Sequence, residues 1–213
     1  MKQHTKIAVL GGGGRTGKYL VTRLLKQGYT LKLLLRHPED FFLKYPSVEV
    51  MKGDAIDPEA IRSLLEGCHA VISTVGQRKD EPLVSCLATK NILNAMSEYS
   101  IRRYLLVAGV NVDTPFDKKG METVMATEWM CTNFPAIHAD RQKTYSILSA
   151  SDIDWTLVRV PFIEFTDEST DILVSLEDCP GKRINAKCIA DFLTEQLMVN
   201  TYRKKSPFIA NKE

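Results

Sequence analysis

The chain has 213 residues, 44% hydrophobic and 25% charged, which suits one sizeable core of an ordinary globular protein and is short for two full domains. A net charge of +2 argues against nucleic acid or an anionic membrane as the main partner. Five scattered cysteines without a C-x-x-C pair, and four histidines (His4, His37, His69, His138) without ligand spacing, point away from a disulfide framework or a metal and toward reduced thiols in the cytoplasm.

In chain order, Met-Lys-Gln-His-Thr-Lys carries no apolar signal segment and runs into a predicted strand, Lys6–Leu10; no run of about 18 apolar residues follows, so no membrane span is expected. Four glycines, Gly11–Gly14, then open a helix with Leu20, Val21, Leu24 and Leu25 on one face. Gly28 closes that helix at its C′ position. Strands are predicted at Leu31–Leu35 and Val48–Met51. Asp57-Pro58-Glu59-Ala60 starts a helix, with Asp as cap, Pro in the first helical position and Glu matching the dipole. A fourth strand over Ala70–Thr74, a helix over Leu83–Ser97 and a fifth strand over Tyr104–Ala108 follow. Helical segments at Glu122–Cys131 and Ala136–Ala150, split by Asn133-Phe134-Pro135, lead to a sixth strand, Trp155–Arg159.

These strands read as almost continuously apolar, as expected when helices cover both faces of a parallel sheet. About 50 residues remain, with a strand at Ile172–Leu176, a helix around Cys188–Met198 and an apolar stretch at Pro207–Ala210. The expected fold is therefore α/β: a doubly wound parallel sheet (Rossmann fold) forming one domain over residues 1–213, with a small C-terminal substrate-side portion.

The glycine cluster carries the chemistry. A backbone without Cβ atoms turns sharply and lets a ligand approach, and the following helix aims its unpaired amides and positive dipole end at the loop. The fitting occupant is a pyrophosphate. Gly12, Gly14 and Gly17 satisfy G-x-G-x-x-G, while Gly11, Gly14 and Gly17 satisfy G-x-x-G-x-x-G. A triphosphatase loop would need Ser or Thr after Gly17-Lys18, and Tyr19 stands there. The loop follows the first strand, the place of a dinucleotide fingerprint, so the cofactor-binding set begins with Gly11, Gly13, Gly14, Arg15, Thr16 and Gly17.

Strand two ends in Leu35-Arg36-His37 with no acid. Arg36 suits the 2′-phosphate of NADP, with Arg15 approaching from the other side, so NADP is expected and NAD remains possible. Ligands bind beyond C-terminal strand ends. Asp54 and Ala55 after strand three should lie beside the adenine. Thr74, Val75 and Gly76 after strand four should border the ribose and pyrophosphate, and Ala108 after strand five should lie near the nicotinamide.

With these residues in place, the chain resembles the atypical short-chain dehydrogenase/reductases, and within them the NmrA-like, biliverdin reductase B/flavin reductase-like branch. The resemblance rests on the Gly11–Gly17 loop, Leu35-Arg36, Gly53-Asp54 and Ser151-Asp152-Ile153-Asp154-Trp155-Thr156-Leu157-Val158-Arg159-Val160-Pro161, similar to the family's S-G-L-D-W-T-I-V-R-P. It implies that Val160, Pro161, Phe162 and Ile163 border the nicotinamide. It also exposes a departure. The superfamily's Tyr-x-x-x-Lys pair, whose Tyr acts as general acid, falls on Ile137 and Arg141, and its Ser falls near Asn111; Tyr145 and Lys143 have the wrong spacing.

Carbonyl reduction by a Tyr/Lys pair is therefore not expected. Hydride transfer to a flavin needs mainly a flat acceptor close to the nicotinamide. The expectation is an NADPH-dependent reductase of a flavin or another conjugated small molecule, lacking that pair, with Asn111, His138 and Arg141 as catalytic candidates and Phe162 stacking on substrate. The alternatives are a non-catalytic NADP-sensing regulator of the NmrA-like kind and, ranked last, a sugar-nucleotide epimerase or dehydratase. The partner expected is a small molecule, with the chain a monomer or homodimer.

Overall fold

The computed structural model describes residues 5–41, 45–78, 81–168 and 170–212; His4 and the rest of residues 1–4 lie outside them. Among the described residues are ten strands and six helices, which alternate for the most part as far as β5. The strands are β1 (Lys6–Leu10), β2 (Thr30–Leu35), β3 (Val48–Lys52), β4 (Ala70–Ser73), β5 (Arg103–Gly109), β6 (Asp154–Val160), β7 (Phe162–Glu164), β8 (Ile172–Ser175), β9 (Arg183–Asn185) and β10 (Phe208–Asn211). The helices are α1 (Arg15–Lys26), α2 (Pro58–Leu65), α3 (Ser85–Glu98), α4 (Met121–Asn133), α5 (Pro135–Ser149) and α6 (Ala186–Glu195).

Eight strands form one sheet in the order β3-β2-β1-β4-β5-β6-β10-β8, parallel except for β10 against β8. The first six follow the doubly wound order 3-2-1-4-5-6, which reverses between β1 and β4. Alternate residues of each strand serve opposite faces. Ile7 and Val9 join α1 and α6 in one buried cluster, through Leu20, Leu24, Ile189 and Leu193. Ala8 and Leu10 join α2, α3 and α5 in the other, through Ile61, Leu64, Ile92, Met96 and Leu148. The edge strand β3 departs from the apolar expectation: Glu49, Val50 and Lys52 are exposed.

Two short strands escape a reading by hydrophobic pattern. β7 and β9 pair in parallel as a separate two-stranded sheet, and each has three residues, too few for a period to show. Helix ends follow local chemistry. The Asp57 side chain accepts from the Glu59 amide at 3.0 Å and caps α2. Gly28, at φ +82°, ends α1. Phe134 alone separates α4 from α5.

Charged residues inside the sheet are bonded to backbone. The Lys32 ammonium donates to the Ser63 carbonyl at 2.6 Å, at the C-terminal end of α2, where a cation is favoured. Arg159 is fully buried. Its Nε and Nη2 donate to the Ser206 carbonyl at 3.0 and 2.7 Å. Its Nη1 donates to the Val112 carbonyl at 2.9 Å and to Asp117 Oδ2 at 2.7 Å. Lys119 completes the cluster, donating to the Val110 carbonyl at 2.8 Å and pairing with Asp113 at 2.6 Å. The loop between β5 and α4 is thereby tied to β6.

Removing one partner of a buried ion pair leaves the other uncompensated. Arg159→Met should therefore lower unfolding free energy by about 3–5 kcal/mol in urea titration. Arg159→Met with Asp117→Asn should recover part of that loss. An unchanged urea midpoint for the single variant would contradict the ion-pair account.

Candidate functional site

The strand order reverses between β1 and β4, and a cleft of about 820 Å³ opens there. Gly11 begins its floor at φ +77°, and a Cβ on it would lie 2.8–2.9 Å from Thr74 and the Val75 nitrogen. Both the backbone angle and the space demand glycine. Gly14 N donates to the Gly11 carbonyl at 2.9 Å, closing the turn. A Cβ on Gly17 would run into that same carbonyl; Gly17 is buried and does not line the cleft. Its part is to let α1 pack onto the loop.

The first-turn amides of α1 have no side-chain cap, and no acid stands in that turn. An uncapped helix start with positive potential, opening on a glycine-lined cleft, fits a pyrophosphate. Gly13, Gly14, Arg15 and Thr16 line this part. Arg15 lies over the Phe165 ring, 4.4 Å from its centroid.

The loops after the strands surround the same cleft. Asp54 lines it and holds its own turn, accepting from the Ile56 amide at 3.2 Å. Asn91 of α3 donates to the Ala55 and Ile56 carbonyls at 3.3 and 3.0 Å, fixing that loop. Thr74 Oγ1 donates to the Gly11 carbonyl at 3.2 Å, and Val75, Gly76 and Ala108 line the wall beyond. Arg36 lines the cleft with its guanidinium on Glu81, Nη1 to Oε2 at 2.6 Å. That contact holds the Glu81 carboxyl below its ordinary range.

At the other end, Val107, Ala108, Val160, Pro161, Ile163 and Phe165 form a largely apolar wall. Phe162 is the correction here: it is 73% exposed and does not line the cleft. Ile163, the next residue of β7, lines the cleft, and the alternation of side chains along the strand turns Phe162 the other way.

Arg141 lines the cleft from α5. It donates to the Val75 carbonyl at 2.9 Å and to Ser85 Oγ at 3.0 Å, and burial pulls its guanidinium below the ordinary value. Its neighbour Asp140 accepts from the Ser85 and Cys86 amides at 2.9 and 3.3 Å, capping α3 from another helix. Asn111 and His138 stand outside the cleft lining and pair with each other, Nδ2 to Nδ1 at 3.1 Å. The amide nitrogen only donates, so the ring accepts there and its neutral form carries the proton on Nε2. Ile137 does not line the cleft, and Tyr145 packs edge-on against Trp155 at 6.1 Å.

Sequence reasoning missed Arg78, Glu81, Val107 and Phe165. Arg78, Glu81 and Phe165 sit in irregular segments that no spacing marks, and Val107 lies in the apolar run of β5, where the sequence does not say which residue faces the cleft. Among the described residues no group of three or more His, Cys, Asp or Glu could hold a metal. No helix among them is long and apolar enough to cross a membrane.

Residues 11–199 match a family model described as NAD(P)H-binding. Cinnamoyl-CoA reductase 1 of Petunia hybrida is 28% identical over 141 residues, covering 60% of this chain and 42% of that protein. Cinnamoyl-CoA reductase 2 of Medicago truncatula is 31% identical over 120 residues, covering 49% and 34%. The chain thus spans less than half the length of these two relatives. Among solved structures, a wide-type short-chain dehydrogenase/reductase from Veillonella parvula DSM 2008 in complex with NADP superimposes with TM-score 0.79 at 18% identity, over 97% of this chain and 94% of that one. ChuY, described as an anaerobillin reductase from Escherichia coli O157:H7, gives TM-score 0.81 at 16% identity over 98% of both chains. At such identities the superpositions speak for the fold alone, and the expected Rossmann architecture is borne out.

The Gly11 geometry has a direct test. Gly11→Ala forces a side chain into left-handed backbone, at a cost of about 1–2 kcal/mol before the clash with Thr74. The urea midpoint should fall accordingly; an unchanged midpoint would contradict the close packing of β1 on Thr74.

Proposed function

This chain belongs to the NAD(P)H-binding family, and we propose that it is an NADPH-dependent reductase of a flavin or another conjugated small molecule, acting by direct hydride transfer. Bound in the cleft, the cofactor would supply the hydride. The chain's own residues bind and orient it. Gly13, Gly14, Arg15 and Thr16 present the start of α1 to the pyrophosphate, and Arg36 takes the adenosine 2′-phosphate, which favours NADP over NAD. Asp54 and Ala55 flank the adenine. Thr74, Val75 and Gly76 border the ribose and pyrophosphate, and Ala108 and Pro161 border the nicotinamide.

The observation that carries the reductase reading is the far end of the cleft. Its wall is apolar, and the side chain standing where the superfamily has its Lys is Arg141, with Ile137 at the Tyr position off the wall. An apolar wall excludes water and suits a flat acceptor held against the nicotinamide. A conjugated acceptor spreads the arriving charge over its rings and takes its proton from solvent, so no acid is required of the chain. Arg141 keeps its charge and offsets the negative charge that develops. His138, one turn before Arg141 on α5, and its buried partner Asn111 stand outside the cleft lining, so of the three catalytic candidates Arg141 is the one that reaches the cleft. The second reading, an NADP sensor acting through a protein, draws on the exposed Met121, Met125 and Trp129 of α4.

Mixing the protein with NADPH and FMN or riboflavin, and following absorbance of the reduced nicotinamide, should show turnover that Gly14→Val abolishes. Tight NADPH binding without turnover over a broad acceptor panel would overturn the reductase reading in favour of the sensor. For the cofactor, Arg36→Glu should weaken NADPH by about tenfold to a hundredfold, the worth of a hydrogen bond to a charged group. NADH should be nearly unaffected in the same fluorescence titration; equal losses for both would overturn the 2′-phosphate assignment.

A further inference from the structure

Glu81 occupies the guanidinium fork that the reading above gives to a phosphate. Arg36 donates to it twice, Nη1 to Oε2 at 2.6 Å and Nη2 to Oε1 at 3.3 Å. Arg78 approaches the same carboxylate at 3.6 Å, and all three residues line one end of the cleft. The placement of Glu81 is built. Gln77 Nε2 donates to the carbonyls of Arg78, Glu81 and Pro82 at 3.0, 3.0 and 3.1 Å, while its Oε1 accepts from the Val84 amide at 3.3 Å. One amide side chain thus ties together Arg78, Glu81, Pro82 and Val84, and so holds the residue that presents the carboxylate. A carboxylate and a phosphate make the same demand on arginine, two parallel hydrogen bonds to one planar fork.

We infer that Glu81 is a specificity-determining residue of the cofactor site: an internal stand-in for the 2′-phosphate, held between Arg36 and Arg78 and displaced when a 2′-phosphorylated adenosine enters. This rests on reading the cleft as an NADP site. A phosphorylated ligand has to break the Arg36–Glu81 pair, whereas an unphosphorylated one leaves it intact. Glu81 therefore narrows the preference for NADP over NAD below what the arginines alone would set. It also keeps the fork occupied, so that a smaller anion entering the cleft meets a competitor.

The test uses binding alone, by titration calorimetry, with 2′,5′-ADP and 5′-AMP as probes on wild type, Glu81→Gln, Arg36→Gln and the double variant. Exposed ion pairs are worth little, so Glu81→Gln should tighten 2′,5′-ADP by about two- to fivefold. It should leave 5′-AMP unchanged, and the gain should vanish in the Arg36→Gln background. An unchanged ratio of the two affinities would overturn the inference while leaving the NADP reading in place. Weaker 2′,5′-ADP binding would also overturn it, since Glu81 would then be orienting Arg36 for the phosphate. If wild type does not prefer 2′,5′-ADP to 5′-AMP and Arg36→Gln changes neither, the NADP reading fails and the inference falls with it.

Discussion

The close approach of α1 to the end of β1 governs the rest of the molecule. Gly17 lies so near the Gly11 carbonyl that a methyl group has no room, and a Cβ on Gly11 would in turn lie 2.8–2.9 Å from Thr74. Helix, first strand and fourth strand therefore meet at one point. Because β2 and β4 both flank β1, the loops that follow them turn toward the same spot and bring Arg36 and Thr74 into one cleft. The cleft follows from how three elements pack, and its helix amides face inward because the packing leaves no other orientation.

A second constraint runs through the strands as buried cations. Arg103 sits in the first position of β5, with its Nε and Nη2 on the Gln196 carbonyl at 3.1 and 2.8 Å. Burial lowers its guanidinium to about 10, and it remains a cation at neutral pH. Arg159 and Lys32 are spent in the same way on carbonyl groups. Burying a charge is costly unless hydrogen bonds compensate it, and carbonyl dipoles at loop and helix ends are available where the sheet edge meets its connections. These cations join segments far apart in the chain: Arg103 to the end of α6, Lys32 to α2, Arg159 to both the β5–α4 loop and the approach to β10.

The fold was legible wherever a pattern repeats. Lys6–Leu10 is read to the residue from its apolar run, and Asp57-Pro58 marks the start of α2 because cap and first-turn preferences are local. The Gly11–Gly17 spacing likewise locates the cleft, since glycine requirements are written one residue at a time. What depends on distant pairing was not legible. β7 and β9 are too short for a period, and Phe162 could be assigned to a strand end without knowing which way it faces. The Arg159 of the family-like segment was visible as a motif, yet its bonding to Ser206 and Asp117 needs the folded chain. Glu81 lay in a charged stretch whose solvated appearance hid its contact with Arg36, 45 positions earlier in the chain.

The bonding of Arg159 also sets an order for how the protein comes off the ribosome. Ser206, whose carbonyl accepts two of its hydrogen bonds, is 47 residues further along the chain, and β10 enters the sheet between β6 and β8 only after both have been made. At translation rates of about 5–20 residues per second, Arg159 waits about 2–10 s for that partner. During this interval β6 is an open edge whose guanidinium has Val112 and Asp117 within reach but still lacks the Ser206 carbonyl. A charge on an unfinished edge discourages pairing with other chains, so the residue that later locks the sheet first guards it.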